Sequence, residues 1–254
     1  MTPMLSLNGL SKTYNGKVAL APATLTFAGH SFTCIVGKSG CGKTTLLRLV
    51  AGLETPTAGT ISLTGTEQRI GIVFQEPRLM PWLTVAENIA FAGCGNQPQQ
   101  PAPAPGTAPP HSATPPSARL EKLLRQLDLT EAAHLYPSQL SGGMAQRVSL
   151  GRTLYYDPDI ILMDEPFSAL DYFTRRSLQL TLLQLYAATR KTILFVTHDV
   201  EEAVLLGDRV LVMEQGAIKE QISINLPQPR QAVQVEIQNL RQQILVALSE
   251  RSSS

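Results

Sequence analysis

Cysteines and charged residues are both scarce in this sequence, and each shortage argues against a class of protein. The three cysteines, Cys34, Cys41 and Cys94, include no Cys-x-x-Cys pair, which disfavours a disulfide framework or a zinc site and favours reduced thiols. Charged residues make up only 16% of the chain, and 21 Lys and Arg against 20 Asp and Glu leave a formal net charge of +1. This near-neutral balance argues against a strongly basic nucleic-acid-binding protein.

Long apolar runs are also missing. No stretch approaches the roughly 18 apolar residues that span a bilayer, and the first residues lack the basic and apolar regions of a signal peptide. If the protein works at a membrane, we expect it to do so through another chain. With 254 residues, 43% of them hydrophobic, the chain can form one α/β domain that carries a further subdomain.

One segment is rich in proline. Residues 97–117 hold eight of the 18 prolines and no charged side chain. Because proline fixes φ and lacks a backbone N–H, this composition predicts an extended, polyproline-like insertion and not the interior of a helix or sheet. An extended surface loop is the simpler interpretation, and a docking peptide for a partner is the alternative.

The rest of the chain alternates short apolar runs with helical patterns. The run at 32–36 predicts a buried strand and the run at 70–74 another strand, and the continuous apolar runs at 160–163 and 192–196 predict strands that are covered on both faces. Spaced leucines predict helices over 43–53, 120–127 and 178–185, a hairpin is predicted at 209–218, and an amphipathic C-terminal helix at 233–248. Strands that alternate with helices indicate a parallel sheet built from βαβ units.

A phosphate-binding loop is indicated by residues 37–44, Gly-Lys-Ser-Gly-Cys-Gly-Lys-Thr, which match GxxxxGK[ST] between a predicted strand and a predicted helix. Its glycines let backbone N–H groups converge on phosphate oxygens, and the helix N-terminus adds positive potential. We expect Lys43 to reach the β- and γ-phosphates, the Thr44 hydroxyl to bind Mg²⁺, and Cys41 to be a small loop residue. The predicted nucleotide-binding residues here are Gly37, Lys38, Ser39, Gly40, Cys41, Gly42, Lys43, Thr44 and Thr45.

An acidic pair, Asp164 and Glu165, follows the apolar run 160–163. The carboxyl ends of parallel strands form the edge where α/β proteins bind ligands. We expect Asp164 to hold Mg²⁺ through water and Glu165 to polarise the attacking water. Alone, the pair could be only a solvated strand end, but the phosphate-binding loop in the same chain favours a catalytic role.

A second anion-binding turn is predicted at Ser141, Gly142 and Gly143, which precede a helical pattern. A hydroxyl, free N–H groups and a helix dipole would meet there. Taken alone, the segment would be an ordinary serine-capped helix. Because a single nucleotide rarely needs two such devices from the same face, we expect two chains head to tail, each capping the nucleotide of the other.

These segments resemble the ATP-binding subunits of ABC transporters, and the resemblance covers nearly the whole chain except residues 97–117 and the last few. Residues 140–144 are similar to the signature motif of that family. Met144 stands where many members have glutamine, which leaves the Ser-Gly-Gly turn intact.

The resemblance implies further site residues. Tyr14 is similar to the aromatic residue that stacks on adenine, and Gln75 to the glutamine that contacts Mg²⁺ and links to the membrane partner. Asp171 closes a loop, residues 168–171, that crosses the dimer in the family, and His198 is similar to the histidine that touches the γ-phosphate. The implied catalytic set is Lys43, Gln75, Glu165 and His198, and the implied metal set is Thr44, Gln75 and Asp164.

The fold implied by the resemblance is α/β. It has a RecA-like P-loop NTPase core, an antiparallel β subdomain near the N-terminus and an inserted helical subdomain. Residues 1–230 would form the ATPase domain, with the helical subdomain at about 76–140 containing the insertion 97–117, and residues 231–254 a C-terminal amphipathic helix and tail.

The implied function is ATP hydrolysis with Mg²⁺ by a homodimer that sandwiches the nucleotide. The dimer would be a peripheral subunit on the cytoplasmic face of the inner membrane, bound to a transmembrane permease and served by a periplasmic or lipid-anchored solute-binding protein, with no nucleic-acid partner. Residues 74–82, 140–147 and 163–171 are similar to those of nitrate, sulfonate and taurine importers. None of these residues touches the cargo. A thiamine-precursor importer, an exporter and an ABC ATPase outside transport therefore stay open.

Overall fold

The computed structural model describes residues 3–65, 68–91, 117–189 and 191–249. The predicted proline-rich insertion lies outside the described residues, apart from Ser117, which caps a helix. The chain divides into two compact units, the first made of Met1–Glu76 and Pro158–Ser254, the second of Pro77–Asp157.

Strands and helices alternate through the described residues. The strands are β1 (Pro3–Tyr14), β2 (Lys17–Ala28), β3 (Phe32–Gly37), β4 (Ala58–Leu63), β5 (Ile70–Val73), β6 (Ile160–Asp164), β7 (Thr192–Thr197), β8 (Arg209–Glu214) and β9 (Ala217–Ser223). The helices are α1 (Lys43–Val50), α2 (Val85–Ala90), α3 (Ala118–Gln126), α4 (Gly142–Tyr156), α5 (Tyr172–Thr189), α6 (Val200–Leu206) and α7 (Val235–Ser249), with a 3-10 turn at Pro137–Gln139.

The larger sheet of the first unit has the strand order β5-β6-β7-β3-β8-β9. Neighbours from β5 to β8 run parallel, and β9 returns antiparallel beside β8, as predicted for the hairpin. Every residue of β3 and β7 is buried, which confirms the prediction of strands covered on both faces. The carboxyl ends of β3, β6 and β7 lie at one edge of the sheet, where ligands bind in parallel sheets.

A smaller antiparallel sheet, with the order β2-β1-β4, forms the predicted β subdomain. Its buried Leu5 and Leu7 share one hydrophobic core with Leu46 and Leu49 of α1 and with residues of β3 and β6. Helix α1 ends at Val50, earlier than the predicted residue 53. Gly52 adopts φ +69° there, and the N–H of Leu53 bonds back to the carbonyl of Arg48, a geometry that terminates helices.

The second unit is built from α2, α3 and α4. The fully buried Asn88 organises the loop before α2, because its amide donates to the carbonyls of Met80, Leu83 and Thr84. The sequence predicts a helical subdomain at about 76–140, whereas this unit runs to Asp157, since α4 packs against α2 and α3.

The C-terminal helix begins later than predicted. Helix α7 starts at Val235, and Val233 lies exposed in a turn that the N–H of Gln234 closes by donating to the carbonyl of Gln231. The buried face carries Ile237 and Ile244 as the periodicity predicts. Across the described ranges, no helix has both the length and the apolar character needed to cross a membrane.

A buried arginine anchors the segment before α7. Arg230 is only 3% exposed, and its guanidinium donates to the carbonyls of Val204 and Gly207 at the end of α6, at 2.9 and 2.6 Å. It also donates to the carbonyls of Leu226 and Ile224. One side chain thereby caps α6 and fixes the chain that leads to the C-terminal helix.

Replacing Arg230 by alanine is expected to lower the free energy of unfolding by about 2–4 kcal/mol, because several buried carbonyls lose their donors. Urea denaturation followed by circular dichroism measures the change. The matched control is Arg241→Ala, whose guanidinium is exposed and only 3.8 Å from Glu201, and which should shift stability by about 0.5 kcal/mol or less. Equal stability of the two variants would contradict the anchoring role.

Candidate functional site

The phosphate-binding loop follows β3 and leads into α1. Gly40 and Gly42 have φ of +76° and +104°, a region that favours glycine. At Gly42 a β-carbon would also overlap the carbonyl oxygen of Ala19 on β2, so no larger residue fits. Gly42 is the N-cap residue of α1, and the free N–H groups of a helix N-terminus favour an anion.

Lys43 places a buried positive charge inside this loop. The side chain is 5% exposed, and its Nζ donates to the carbonyls of Gly37 and Lys38 at 2.8 and 3.1 Å. The same ammonium lies 3.9 Å from the Glu165 carboxylate. The two predicted catalytic residues are therefore brought together, although 122 positions separate them, by the pairing of β3 and β6 with the intervening β7.

Thr44 and Asp164 offer oxygen ligands at the same edge. The Thr44 hydroxyl donates to Oδ1 of Asp164 at 3.1 Å. Burial raises the pKa of the Asp164 carboxyl above its ordinary value, and the hydrogen bond from Thr44 opposes that shift. A hydroxyl and a carboxylate are hard oxygen donors of the kind that Mg²⁺ takes in small number beside phosphates and water, so the pair fits the predicted metal. Thr45 follows within α1.

Glu165 and His198 form a hydrogen-bonded pair. Nδ1 of His198 lies 2.8 Å from Oε2 of Glu165, and the side chains are 59% and 23% exposed, respectively. Glu165 has φ +47°, and its N–H donates to the carbonyl of Val196 on β7. The carboxylate thus lies between a lysine and a histidine and is partly exposed to solvent, an arrangement compatible with a group that accepts a proton from water.

The loop 168–171 is bonded at one end to Glu165, a predicted catalytic residue, and is connected at the other end, through Arg175, to the neighbour of His198. The N–H and hydroxyl of Ser168 both donate to the carbonyl of Glu165. At the other end Arg175 donates to the carbonyl of Leu170 at 2.9 Å and lies 3.6 Å from Asp199, the residue after His198.

Asp171 is the last residue of this loop and directly precedes α5. Its Oδ1 accepts from the N–H groups of Phe173 and Thr174, at 3.0 and 3.1 Å. Hydrogen bonds from Thr174, foremost among the contributions, lower the pKa of the Asp171 carboxyl. The aromatic side chains of Tyr172 and Phe173, which follow it, are exposed.

Two more predicted residues lie in the first unit. Gln75 is exposed two positions after β5, a strand that pairs in parallel with β6, so it follows the strand next to Asp164. Tyr14 ends β1 and is 40% exposed, and its hydroxyl is hydrogen-bonded to Glu54. The contact with Glu54 is a feature that sequence reasoning missed, since no motif connects residues 40 positions apart.

The predicted second anion-binding turn belongs to the other unit. Ser141 precedes α4, and its hydroxyl accepts from the N–H of Met144 at 3.2 Å. Ser141 and Gly142 are exposed, whereas Gly143 is buried. The serine-capped helix is therefore present, with Ser141 and Gly142 exposed to solvent.

Cys41 provides a chemical probe of the loop. Burial raises the pKa of its thiol above the ordinary value, although the Lys43 ammonium opposes the shift. Because thiolate is the nucleophile, alkylation by iodoacetamide should be slow at neutral pH. Its rate should rise about tenfold for each unit by which the pH is increased, as long as the pH stays below the pKa of the thiol. ATP should slow it further. Mass spectrometry of a Cys94→Ser variant measures the rates, and the fully buried Cys34 should stay unmodified as an internal control. A rate that saturating ATP leaves unchanged would contradict the placement of Cys41 at the nucleotide.

Comparison with known proteins is consistent with this geometry. Residues 20–168 match the family model described as ABC transporter. The Aliphatic sulfonates import ATP-binding protein SsuB 2 of Burkholderia lata is 40% identical, across 98% of this chain and 88% of that protein. The Aliphatic sulfonates import ATP-binding protein SsuB 1 of Xanthomonas axonopodis pv. citri is 43% identical, across 96% of each.

Solved structures share the fold. A dimeric ATP-binding cassette in a post-hydrolysis state, bound to ADP and Pi, superimposes with a TM-score of 0.75 at 29% identity, over 88% of this chain and 100% of that chain. The cbiO1 protein of Clostridium perfringens gives the same TM-score at 24% identity, over 88% of this chain and 89% of that chain, which is a likeness of fold. The predicted fold class is thereby confirmed.

Proposed function

This chain belongs to the ABC transporter family and is an ATPase, and from that premise we propose that it energises the import of aliphatic sulfonates through a separate permease. The observation that carries the catalytic part is the meeting of Lys43, Glu165 and His198 at one edge of the sheet. The substrate class is supported by the relatives named as aliphatic sulfonate import proteins, which match nearly the whole chain.

In the proposed mechanism, Lys43 and the N–H groups of the phosphate-binding loop bind the triphosphate of ATP. Thr44 and Asp164, with Gln75, would hold Mg²⁺, which supplies neutralisation of charge on the phosphates. Glu165 orients the attacking water and accepts its proton, while His198 positions the Glu165 carboxylate by the 2.8 Å contact. His198 would also contact the γ-phosphate, as the family resemblance implies. Catalysis of phosphoryl transfer in this way is mostly positioning and electrostatic stabilisation.

The pocket is proposed to be completed by a second copy of the chain. Ser141, Gly142 and the backbone of Gly143 would cap the nucleotide bound by the partner, and the loop that ends at Asp171 would lie at the interface. The exposure of Ser141 and Gly142 supports this arrangement, as does the dimeric state of the related cassette bound to ADP and Pi. Closing on ATP and opening after hydrolysis would then be a population shift biased by the nucleotide.

The permease is proposed to bind near Gln75, on the cytoplasmic face of the membrane, with a solute-binding protein on the other side. Gln75 is exposed and lies next to Glu76, the last residue before the chain enters the second unit. Gln75 follows β5, which pairs with β6, the strand that carries Asp164. A shift of Asp164 on nucleotide binding or hydrolysis would therefore be transmitted through these two strands to Gln75 and to the permease bound there.

Uptake by the reconstituted transporter tests the substrate. The chain should be assembled with its permease and binding protein in vesicles, and ATP-dependent uptake of a labelled alkanesulfonate, nitrate and a thiamine precursor compared. Uptake of the sulfonate alone supports the proposal. Uptake of nitrate or the precursor instead, export of the solute, or stimulation of the ATPase by DNA or ribosomes would overturn it in favour of the corresponding alternative.

A further inference from the structure

Tyr14, which the family resemblance implies would stack on adenine, lies in a charged cluster that the mechanism above does not use. We define the base-side cluster as Lys12, Tyr14, Arg48 and Glu54. Glu54 follows α1, and its carboxylate accepts the hydrogen bond of the Tyr14 hydroxyl. The same carboxylate is 3.7 Å from Nζ of Lys12 and 3.6 Å from the guanidinium of Arg48, so its negative charge is balanced on two sides.

Lys12 covers one face of the Tyr14 ring. Its Nζ lies 4.9 Å from the ring centroid and donates to the carbonyl of Thr55 at 2.7 Å, which fixes the ammonium in place. A cation at this distance from an aromatic face is attracted to it. Tyr14 is 40% exposed, so part of its ring is open to a planar ligand, and Lys12 lies over one face.

The backbone ties the cluster to the phosphate-binding loop. The N–H of Thr57 donates to the carbonyl of Ser11 at 2.9 Å, and the hydroxyl of Thr57 accepts from the N–H of Thr13 at 3.0 Å. These bonds hold the segment after α1 against β1. Helix α1 begins at Lys43 and ends at Val50, four residues before Glu54, so one helix has the predicted phosphate-binding residue at its start and the tyrosine's partner beyond its end.

We propose that Glu54 is a positioning residue for nucleotide binding, which holds the Tyr14 ring by its hydroxyl so that the face not covered by Lys12 is presented to a purine base. This inference rests on the proposed ATP site. Glu54 reaches the ring through the Tyr14 hydroxyl, and its ion pairs with Lys12 and Arg48 lie within the same cluster. We therefore expect the phosphate end of the site not to depend on it. The side chain of Glu54 therefore sets affinity for the base half of the nucleotide.

The experiment compares two probes by isothermal titration calorimetry, ATP and inorganic tripolyphosphate, which has no base. In Glu54→Ala we expect the affinity for ATP to fall about fivefold, in the range of one lost hydrogen bond, and that for tripolyphosphate to stay the same. Glu54→Gln keeps an acceptor oxygen and should recover most of the ATP affinity. The matched control is Glu220→Ala, which removes a carboxylate on β9 that accepts a hydrogen bond from Gln243, and it should change neither affinity.

A double-mutant cycle with Tyr14→Phe isolates the hydrogen bond, because Phe keeps the ring and lacks the hydroxyl. We expect Tyr14→Phe and Glu54→Ala to weaken ATP binding by the same factor and the double variant to be no weaker than either. Equal losses for both probes, no loss for either, tighter binding of ATP, or fully additive effects would each overturn the positioning role. If the wild-type protein bound neither probe, the proposed function itself would be wrong.

Discussion

Replacing Glu165 by glutamine is expected to reduce ATP hydrolysis by about 10²–10⁴-fold, the contribution of a positioned general base. Glutamine keeps nearly the shape of the side chain but cannot accept the proton of the attacking water. Lys43 and the phosphate-binding loop are unchanged, so ATP should still bind. Steady-state phosphate release measures the rate, and calorimetry with ATP measures the affinity.

The same variant reports on pairing of the chains. Because ATP remains intact in Glu165→Gln, we expect the protein to elute as a dimer in size-exclusion chromatography with Mg·ATP and as a monomer without it. The control is Glu121→Gln on α3, where a half-exposed carboxylate is 3.7 Å from Arg125 and hydrolysis should be unaffected. A Glu165→Gln protein that stays monomeric and hydrolyses ATP at the wild-type rate would refute both its catalytic role and the shared pocket.

Replacing Lys43 by alanine is expected to weaken ATP binding by about 100-fold, because hydrogen bonds from a charged donor to phosphate are among the strongest polar contacts in proteins. The ammonium is 5% exposed and held by the carbonyls of Gly37 and Lys38, so its position is defined by the loop. Calorimetric titration with ATP gives the affinity, and thermal unfolding shows whether the fold survives.

Two further variants separate charge from shape at Lys43. Lys43→Arg keeps the positive charge, but a planar guanidinium cannot replace a compact ammonium between two carbonyls, so its affinity should also fall. Lys219→Ala, which removes an exposed partner of Glu214, should bind ATP as the wild type does. Unchanged affinity in Lys43→Ala would contradict the assignment of residues 37–44 as the phosphate-binding loop.

Features coded by contiguous residues were predictable from the sequence. Residues 37–44 carry their spacing, their glycines and their flanking apolar run within one short segment, and the structure shows the strand, the positive φ angles and the helix that the pattern requires. The buried strand β7 was equally clear, because the apolar residues 193–196 run without interruption through the middle of its six buried positions.

Contacts between distant residues were not predictable in the same way. The pairing of Glu165 with His198 depends on the register of β6 and β7, and a single sequence does not report register. The hold of Arg230 on α6 and the bond from Tyr14 to Glu54 join segments with no shared motif. Helix ends were misplaced at Val50 and Val235 because local turns, and not apolar periodicity, decide where a helix stops or starts.

The attachment of the loop 168–171 has a consequence for timing. Ser168 grips the carbonyl of Glu165, and Arg175 joins the carbonyl of Leu170 to Asp199, the neighbour of His198. A displacement of this loop would therefore be transmitted both to Glu165 and to the segment that carries His198. If a second copy of the chain contacts the loop in the proposed dimer, its binding would reposition both side chains at the same time.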